Sequence, residues 1–530
     1  MTKPRPNIIL LIIDALRYDR LGVSGYRPSL TPTLDRLARQ GFSATNNFSV
    51  GCPTQIAMPG IFTSTMPLDY GGYRNGIKDR PHSFVEILRQ NGYRTFGAST
   101  VTWLSQLYGF DRGFDEFHEL VDMVLWTQVS NSAILNELLE RWKNGKLSDH
   151  EALVVFDEWY PAMLDQADRF LNTLDHFKSP EHWGSRAEWR QRLISERKLY
   201  ADDPLAILHR KKKLGAFDYF VLGETDASDA VIRKIERVRK WERKLNKYIF
   251  FLGRRKHYKG YSINKLAGKN LANPSRDPFF MMLHYFDIHE AKLLIPSLNT
   301  RRALDLPLDT IRALRGRTNH DPNGIIYDIG VANMDRHVAR LLGILRKSGN
   351  LENTILVITA DHGMETQYPK RGVGSDLPKL FFDEHLRVPL IISGPGIKPN
   401  QVDSLMSHLD LAPTILELAE LESPKEFSGR PVSAHRAKPS DHVAFENTGR
   451  GWCDIQNKTI FLGVRSDTLK VVFYADKFEP VERDVFDLAS DPDESRNIVD
   501  TDECRSERNR LASIARQRLE QLRVENTAIA

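Results

Sequence analysis

Residues Asn7–Asp14 read NIILLIID: six apolar residues, Ile8 to Ile13, run without a break and stop at a carboxylate. A short apolar run of this kind reads as a strand buried on both faces, which is the habit of parallel strands. In an open α/β sheet, ligands and chemistry collect beyond the carboxyl ends of the strands. Asp14 stands at such an end, and the question becomes which other residues can meet it there.

The flanking chain repeats the pattern. Thr31-Pro32 opens a helix with Leu34, Leu37 and Ala38 on one face and Gly41 as its stop. Phe42–Val50 reads as extended. Pro81–Asn91 is an amphipathic helix ended by Gly92, and Tyr93–Ser99 is a second core strand. This β-α-β order predicts a wound parallel sheet. The pattern returns at Pro278 with PFFMMLHYFDIHE, a strand ending in polar residues. A long amphipathic helix follows over Ile325–Leu345. Asn353–Ala360, NTILVITA, is another buried strand ending at a carboxylate, Asp361. Val388–Gly396 is a further strand, and Ser407–Ala419 leads from a loop into a helix. Beyond residue 440 come strand-like segments at Ile460–Arg465 and Leu469–Tyr474, then a charged helix from 505. The domain reading is 1–425 catalytic, with a helical insertion at 118–275, and 426–530 a C-terminal subdomain.

Composition bounds the rest. Lys and Arg total 74 against 69 Asp and Glu, a net charge of +5, which by itself implies no nucleic-acid partner. Three cysteines, Cys52, Cys453 and Cys504, argue for a reducing compartment rather than a disulfide framework. No apolar run approaches the ~18 residues that span a bilayer. The first strand starts at residue 7, behind MTKPRP, which leaves no room for a signal peptide. The expectation is a cytoplasmic protein without a transmembrane anchor. Arg233–Lys259 holds twelve Lys or Arg against Glu236 and Glu242, with Ile232, Ile235, Val238, Trp241 and Leu245 at helical spacing. It reads as a solvated helix face or a contact surface for an acidic polymer or membrane.

Asp14, Thr54, Asp361 and His362 form the candidate constellation. Two carboxylates, an imidazole and a hydroxyl make a first shell for a divalent metal, with imidazole favouring Zn or Mn over the all-oxygen shells of Ca or Mg. Such a metal would lower the pKa of the Thr54 hydroxyl and polarise an ester oxygen. Thr54 also precedes QIAMPGIFTS, which can form a helix, and a helix N-terminus favours phosphate or sulfate. Read alone, Thr54 is equally an N-cap.

The segments NIILLIIDALRYDRLG, TPTLDRLARQGFSATNNF, TADHG, HLRVPLIISGPGI, SHLDLAPTILELA and VFDLASDPDESRNIV occur in this order. Together they resemble the sulfatase family of the alkaline phosphatase superfamily, over residues 5–115 and 276–500. The resemblance implies an α/β, alkaline-phosphatase-like three-layer sandwich with a central, mostly parallel sheet. It also implies a smaller C-terminal antiparallel sheet with a packed helix. The departures are as informative. The family's Cys-x-Pro-x-Arg motif is absent: Cys52 is followed by Pro53, Thr54 and Gln55, and counting back from Phe62-Thr63 puts the nucleophile position on Thr54. The family's second acid beside Asp14 is here Ala15, and its Asp-Asn pair is Asp361-His362. A Thr nucleophile with an Asp-His pair is more similar to the phosphoethanolamine and phosphoglycerol transferases.

By the same resemblance, His289 falls near the leaving-group oxygen and Lys379 near an anion-binding lysine. Asp287, His289 and His408 are candidates for a second metal or an anion site. Arg17, three residues past Asp14, reads equally as a site residue or a salt-bridge former. The leading expectation is therefore a metal-dependent hydrolase or transferase of phosphate mono- or diesters acting through a covalent phospho-threonine. The alternatives are a sulfuric ester hydrolase lacking the formylglycine motif and a catalytically silent protein that binds an anionic glycan or lipid head group.

Overall fold

A computed structural model describes residues 5–101, 103–120, 138–173, 186–214, 260–272, 277–289, 322–366, 381–448, 455, 459–476 and 478–529. The basic stretch 233–259 and Lys379 lie outside the described residues.

The apolar run of the N-terminus is strand β1 (Asn7–Ile13), and every residue of it is buried. Eight strands form the central sheet. After β1 these are β2 (Phe42–Ala44), β4 (Arg94–Ser99), β5 (Glu116–Glu119), β6 (Phe279–Tyr285), β7 (Thr354–Thr359), β8 (Leu390–Ser393) and β9 (Asn400–Val402), in the spatial order β5-β4-β6-β1-β7-β8-β2-β9. The run β5 to β7 is parallel throughout, and only β8 opposes its neighbours. The expected extended segment Phe42–Val50 is split: β3 (Asn47–Phe48) leaves the sheet and pairs with β10 (Met406–Ser407).

Strand parity sorts the core into two layers. Ile9, Leu11 and Ile13 face one side with Leu283, Leu356 and Ile358, covered by Leu34 and Leu37, Ile263 and Ala267, and Val338, Leu341 and Leu345. These come from the helices Pro32–Gln40, Gly260–Leu271 and Pro322–Lys347. Ile8, Leu10 and Ile12 face the other side with Phe280, Met282, Ile355 and Val357. There Met58, Ile61 and Phe62 of the helix Thr54–Thr63 cover them, with Phe84 and Leu88 of Phe84–Gln90 and Leu411 and Ile415 of Leu411–Leu418. Helices on both faces of a mostly parallel sheet are the three-layer sandwich expected.

The C-terminal sheet has four antiparallel strands, β11 (Val443–Asn447), β12 (Phe461–Arg465), β13 (Leu469–Asp476) and β14 (Glu479–Asp487). The sequence pattern shows only the middle two. β14, EPVERDVFD, alternates charge with apolar residues and is only partly buried, so it carries no strong apolar signal. The helix Arg505–Ile529 packs Leu511, Ala515, Leu519 and Leu522 onto Leu462, Val464, Val471, Phe473 and Val485. In the middle of the chain, helices are described at Asp149–Thr173, Arg186–Asp202 and Pro204–Leu214. No helix of the described residues is long and apolar enough to cross a membrane.

The two sheets are tied by a buried ion cluster. Lys470 of β13 is fully buried, and its Nζ donates to Phe381 O at 2.9 Å and to the carboxylates of Asp383 and Glu494. Asp383 opens the short helix Asp383–Leu386, its N–H donates to Glu494 Oε2 at 2.7 Å, and Arg465 adds a second cation 3.4 Å from its carboxylate. Removing one partner of a buried pair strands the other. Lys470→Met is therefore expected to lower the free energy of unfolding by about 3–5 kcal/mol, read by denaturant titration. A loss under 1 kcal/mol, the range of an exposed pair, would contradict this account.

Candidate functional site

The register of the parallel strands assembles the site. Ile12 of β1 pairs with His284 of β6 on one side and with Thr359 of β7 on the other. Side chains alternate along each strand, so Asp14, two residues beyond Ile12, and Asp361, two beyond Thr359, lie side by side. They point to the face covered by Thr54–Thr63. All three strands end there, and Asp14, His284 and Asp361 are fully buried.

Thr54 is the first residue of its helix; the N-cap is Pro53, and Thr54 makes no capping hydrogen bond. Its hydroxyl is turned to the sheet instead, 3.4 Å from Asp14 Oδ2 and 3.3 Å from His362 Nε2. The N-cap alternative therefore gives way to a side chain aimed at the acids. His362 Nε2 is 3.9 Å from Asp14 Oδ1 and 3.6 Å from Asp361 Oδ2. Its Nδ1 is 2.6 Å from Gly363 O, so Nδ1–H donates to that carbonyl. Asp361 Oδ1 accepts from the N–H groups of His362 at 2.8 Å and Ala15 at 3.3 Å. Ala15 has a positive φ of 63°, an unusual conformation for a residue with a side chain, and it turns the Ala15 amide toward Asp361. Tyr327 donates its hydroxyl proton to Ala15 O at 2.6 Å and fixes that turn.

The donor set fits a divalent metal. Among the described residues, Asp14, Asp361 and His362 form the group whose ligand atoms all lie within 4.8 Å of one another, and all three are buried. Asp361 Oδ2 makes no hydrogen bond there, which is costly for a buried carboxylate unless a cation faces it. Imidazole plus carboxylates suits borderline metals. Burial opposes charging His362, but Asp361, Cys52 and Asp14 outweigh it and raise its pKa well above the usual imidazole range. Asp361 is depressed despite burial, by His362 and His284.

The other sequence candidates are dispersed. Asp287 Oδ2 accepts the N–H of Gly260 at 2.9 Å, and Oδ1 lies 3.3 Å from His337 Nε2. It anchors the start of Gly260–Leu271. His408 donates Nε2–H to Ala360 O at 2.9 Å, and burial pushes its pKa down to about 4, so it braces the strand end before Asp361. His289 is exposed and stacked on Phe286 at 4.6 Å. The structure does not bring Asp287, His289 and His408 into the group formed by Asp14, Asp361 and His362. Of the two readings of Arg17 the ion-pair former is seen, 2.7 Å from Asp19 and 3.0 Å from Glu384.

One residue at the site, His284, carries no signal in the sequence reading, and a second, Cys52, stands there as the cysteine left from the family's departed motif. Cys52, buried beside His362, is close enough to stabilise the imidazolium. His284 lies 3.7 Å from Asp14 Oδ2, and burial lowers its pKa to about 4, so it is neutral at neutral pH. The parity of β6, which places His284 in line with Phe280 and Met282, is the signal that would have found it.

Several of these segments hang on one short helix. Carbonyls at or next to Asp383–Leu386 accept Gly363 N–H (His385 O, 2.7 Å), Ser49 N–H (Leu386 O, 2.7 Å) and Tyr18 N–H (Arg387 O, 3.1 Å). A Cβ on Gly363 would sit 2.1 Å from Glu384 O, so the turn after His362 packs against this helix as only glycine can.

The family described as Sulfatase matches residues 6–173 and 217–421, and the one described as N-sulphoglucosamine sulphohydrolase, C-terminal matches 377–525. Arylsulfatase K of Bos taurus is 32% identical over 179 residues, which is 32% of this chain and 32% of that protein; the match thus spans about a third of the relative. The N-acetylglucosamine-6-O-sulfatase of Bacteroides thetaiotaomicron is 24% identical over 93% of this chain and 82% of its own. The solved structure of a 2-O GAG sulfatase superposes with a TM-score of 0.59 at 16% identity, covering 99% of this chain and 94% of that one, a likeness of fold.

The ion pair sets a pH dependence. The raised pKa of His362 contributes stability that is fully present below its unfolded value of 6.5 and lost as pH rises through the folded value. A bound metal needs the neutral imidazole and gains affinity over the same rise. Thermal unfolding in chelator is expected to show stability falling as pH climbs above neutral, and added divalent metal is expected to remove that fall. An alkaline limb unchanged by metal would contradict the assignment.

Proposed function

The chain belongs to the sulfatase family, and from that membership we propose that it is a metal-dependent hydrolase of sulfuric esters carried by an anionic glycan. The observation that supports this reading is the convergence of Asp14, Thr54, Asp361 and His362 at one sheet edge, with the Thr54 hydroxyl within 3.4 Å of Asp14 and 3.3 Å of His362. The glycan is inferred from the relatives, whose names include an N-acetylglucosamine-6-O-sulfatase.

Asp14, Asp361 and His362 would hold the metal, which would supply charge neutralisation at the ester oxygens and acidify the Thr54 hydroxyl. Zn or Mn suits the donors better than Ca or Mg. The chain's own residues do the rest. Thr54 Oγ1 attacks sulfur in line as its proton passes to Asp14 Oδ2, 3.4 Å away, the S–O bond to the sugar breaks, and the alcohol departs. The start of the helix Thr54–Thr63 favours the anion through its dipole. His289, exposed in the turn four residues past β6 and outside the Asp14–Asp361–His362 group, would protonate the leaving oxygen in this scheme. Water then releases sulfate from Thr54. Cys52 stays beside His362 as part of the electrostatic surround.

A second reading is favoured by the hydroxyl itself. Threonine in the nucleophile position suits phosphoryl transfer, so phosphate esters passing through a phospho-threonine are the rival substrate class. One panel separates these readings. Nitrophenyl sulfate, phosphate monoester, phosphate diester and phosphonate are offered to metal-loaded wild type, Thr54→Ala and Cys52→Ala. Sulfate turnover is expected, lowered by Thr54→Ala by on the order of 10^3-fold or more and retained in Cys52→Ala. Turnover of phosphate esters alone supports the second reading. Sulfate turnover that survives Thr54→Ala and disappears in Cys52→Ala moves the nucleophile to Cys52. Absence of turnover on every ester leaves an anion-binding protein.

A further inference from the structure

We propose that His284 is a fourth protein ligand of the metal site, its Nε2 completing a shell of two carboxylates and two imidazoles. This rests on the metal-site reading above and adds a residue to it. The strand register delivers His284 to the edge where Asp14 and Asp361 end, and it is fully buried. Its Nδ1 lies 3.0 Å from Thr100 Oγ1, and the same hydroxyl lies 3.2 Å from His284 O. A hydroxyl has one proton to give. Donated to the carbonyl, it leaves Thr100 Oγ1 to accept Nδ1–H, and Nε2 then carries the lone pair. A ring whose far nitrogen donates to an oxygen is the usual arrangement of a metal-bound histidine.

The near nitrogen is the telling one. His284 Nε2 makes no hydrogen bond among the described residues. It faces Asp14 Oδ2 at 3.7 Å. A lone pair set against a buried carboxylate is unfavourable unless a cation lies between them. Two donors each about 2.1 Å from one ion stand at most about 4.2 Å apart. His284 to Asp14 at 3.7 Å, His362 to Asp14 at 3.9 Å and His362 to Asp361 at 3.6 Å all fall inside that span. The second imidazole removes the site further from an all-oxygen shell. It steers the protein toward a borderline ion such as Zn and away from Ca. Thr100 is the positioning residue that holds the tautomer.

The test uses the full chain stripped with chelator and titrated with Zn or Ca against a chromophoric competitor. Wild type, His284→Ala, His284→Gln, Thr100→Val and Asp361→Asn are compared. X-ray absorption on the Zn-loaded forms counts the imidazole rings in the shell. The expected result is two rings in wild type and one in His284→Gln. Zn affinity falls at least about tenfold in both His284 variants and less in Thr100→Val, and Ca affinity moves little. If His284→Ala fails to fold, His284→Gln, which fills the same space, carries the comparison. Wild-type Zn affinity and two rings in His284→Gln, with Zn lost in Asp361→Asn, would overturn this assignment alone. A wild type that binds neither ion would overturn it together with the metal-site reading.

Discussion

The parallel pairing of β1 with β6 and β7 is the constraint that the other features answer to. Because side chains alternate along a strand, the register settles which residues at the sheet's edge share a face. Ile12 pairs with His284 and with Thr359, so the two acids emerge on the side of the helix that begins at Thr54. A slip of one residue would turn an acid into the opposite helix layer. The unbroken burial of β1, β6 and β7 is what forbids the slip, since each strand has an apolar partner on both faces.

The edge so formed holds more charge than hydrophobic packing alone would leave there. Asp14, Asp361, His362 and His284 are all sealed from water. The structure answers this with a framework of backbone bonds. Ala15 and His362 amides meet Asp361, and Gly363 O takes the outer nitrogen of His362. The helix Asp383–Leu386 catches the turn from behind. Arg17 adds a side-chain tie, reaching Glu384 of that helix and Met364 O of the segment after the turn. Polar groups pre-positioned in a dry site cost no rearrangement when charge develops on a substrate.

Much of this was legible in the sequence because it rests on local patterns. The buried strands announce themselves as apolar runs, and Asp14 and Asp361 stand where those runs stop. The helix after Thr54 and the C-terminal helix from 505 are equally local. What stayed hidden depends on long-range placement. His284 sits inside PFFMMLHYF, where a lone histidine reads as part of a strand's polar end; only its pairing with Ile12 shows where it points. Asp287 looked like a ligand because it shares a segment with His289, yet Gly260 and His337, remote in sequence, claim it. β11 is a short run of five residues and β14 was obscured by its charged residues, and Lys470, in an ordinary strand, gave no hint that it closes an ion cluster with Asp383 and Glu494. The phosphate-ester expectation came from Thr54 in the nucleophile position, the absent Cys-x-Pro-x-Arg motif, Ala15 and the Asp361-His362 pair; the family match and the relatives weigh toward sulfuric esters.

The Lys470 cluster bears on the order in which the molecule can be finished. Asp14 and Thr54 lie near the start of the chain, and Asp361-His362 follow some way behind. The short helix that holds the Asp361-His362 turn is anchored by Lys470 and by Glu494, close to the far end of the chain. During synthesis the early strands can pair long before that anchor leaves the ribosome, since chains fold as they emerge. Until residue 494 is available, the growing protein holds Asp14 and Asp361 on a frame with one strut missing. The support behind the turn after His362 thus depends on residues 470 and 494, which come later in sequence than every candidate site residue.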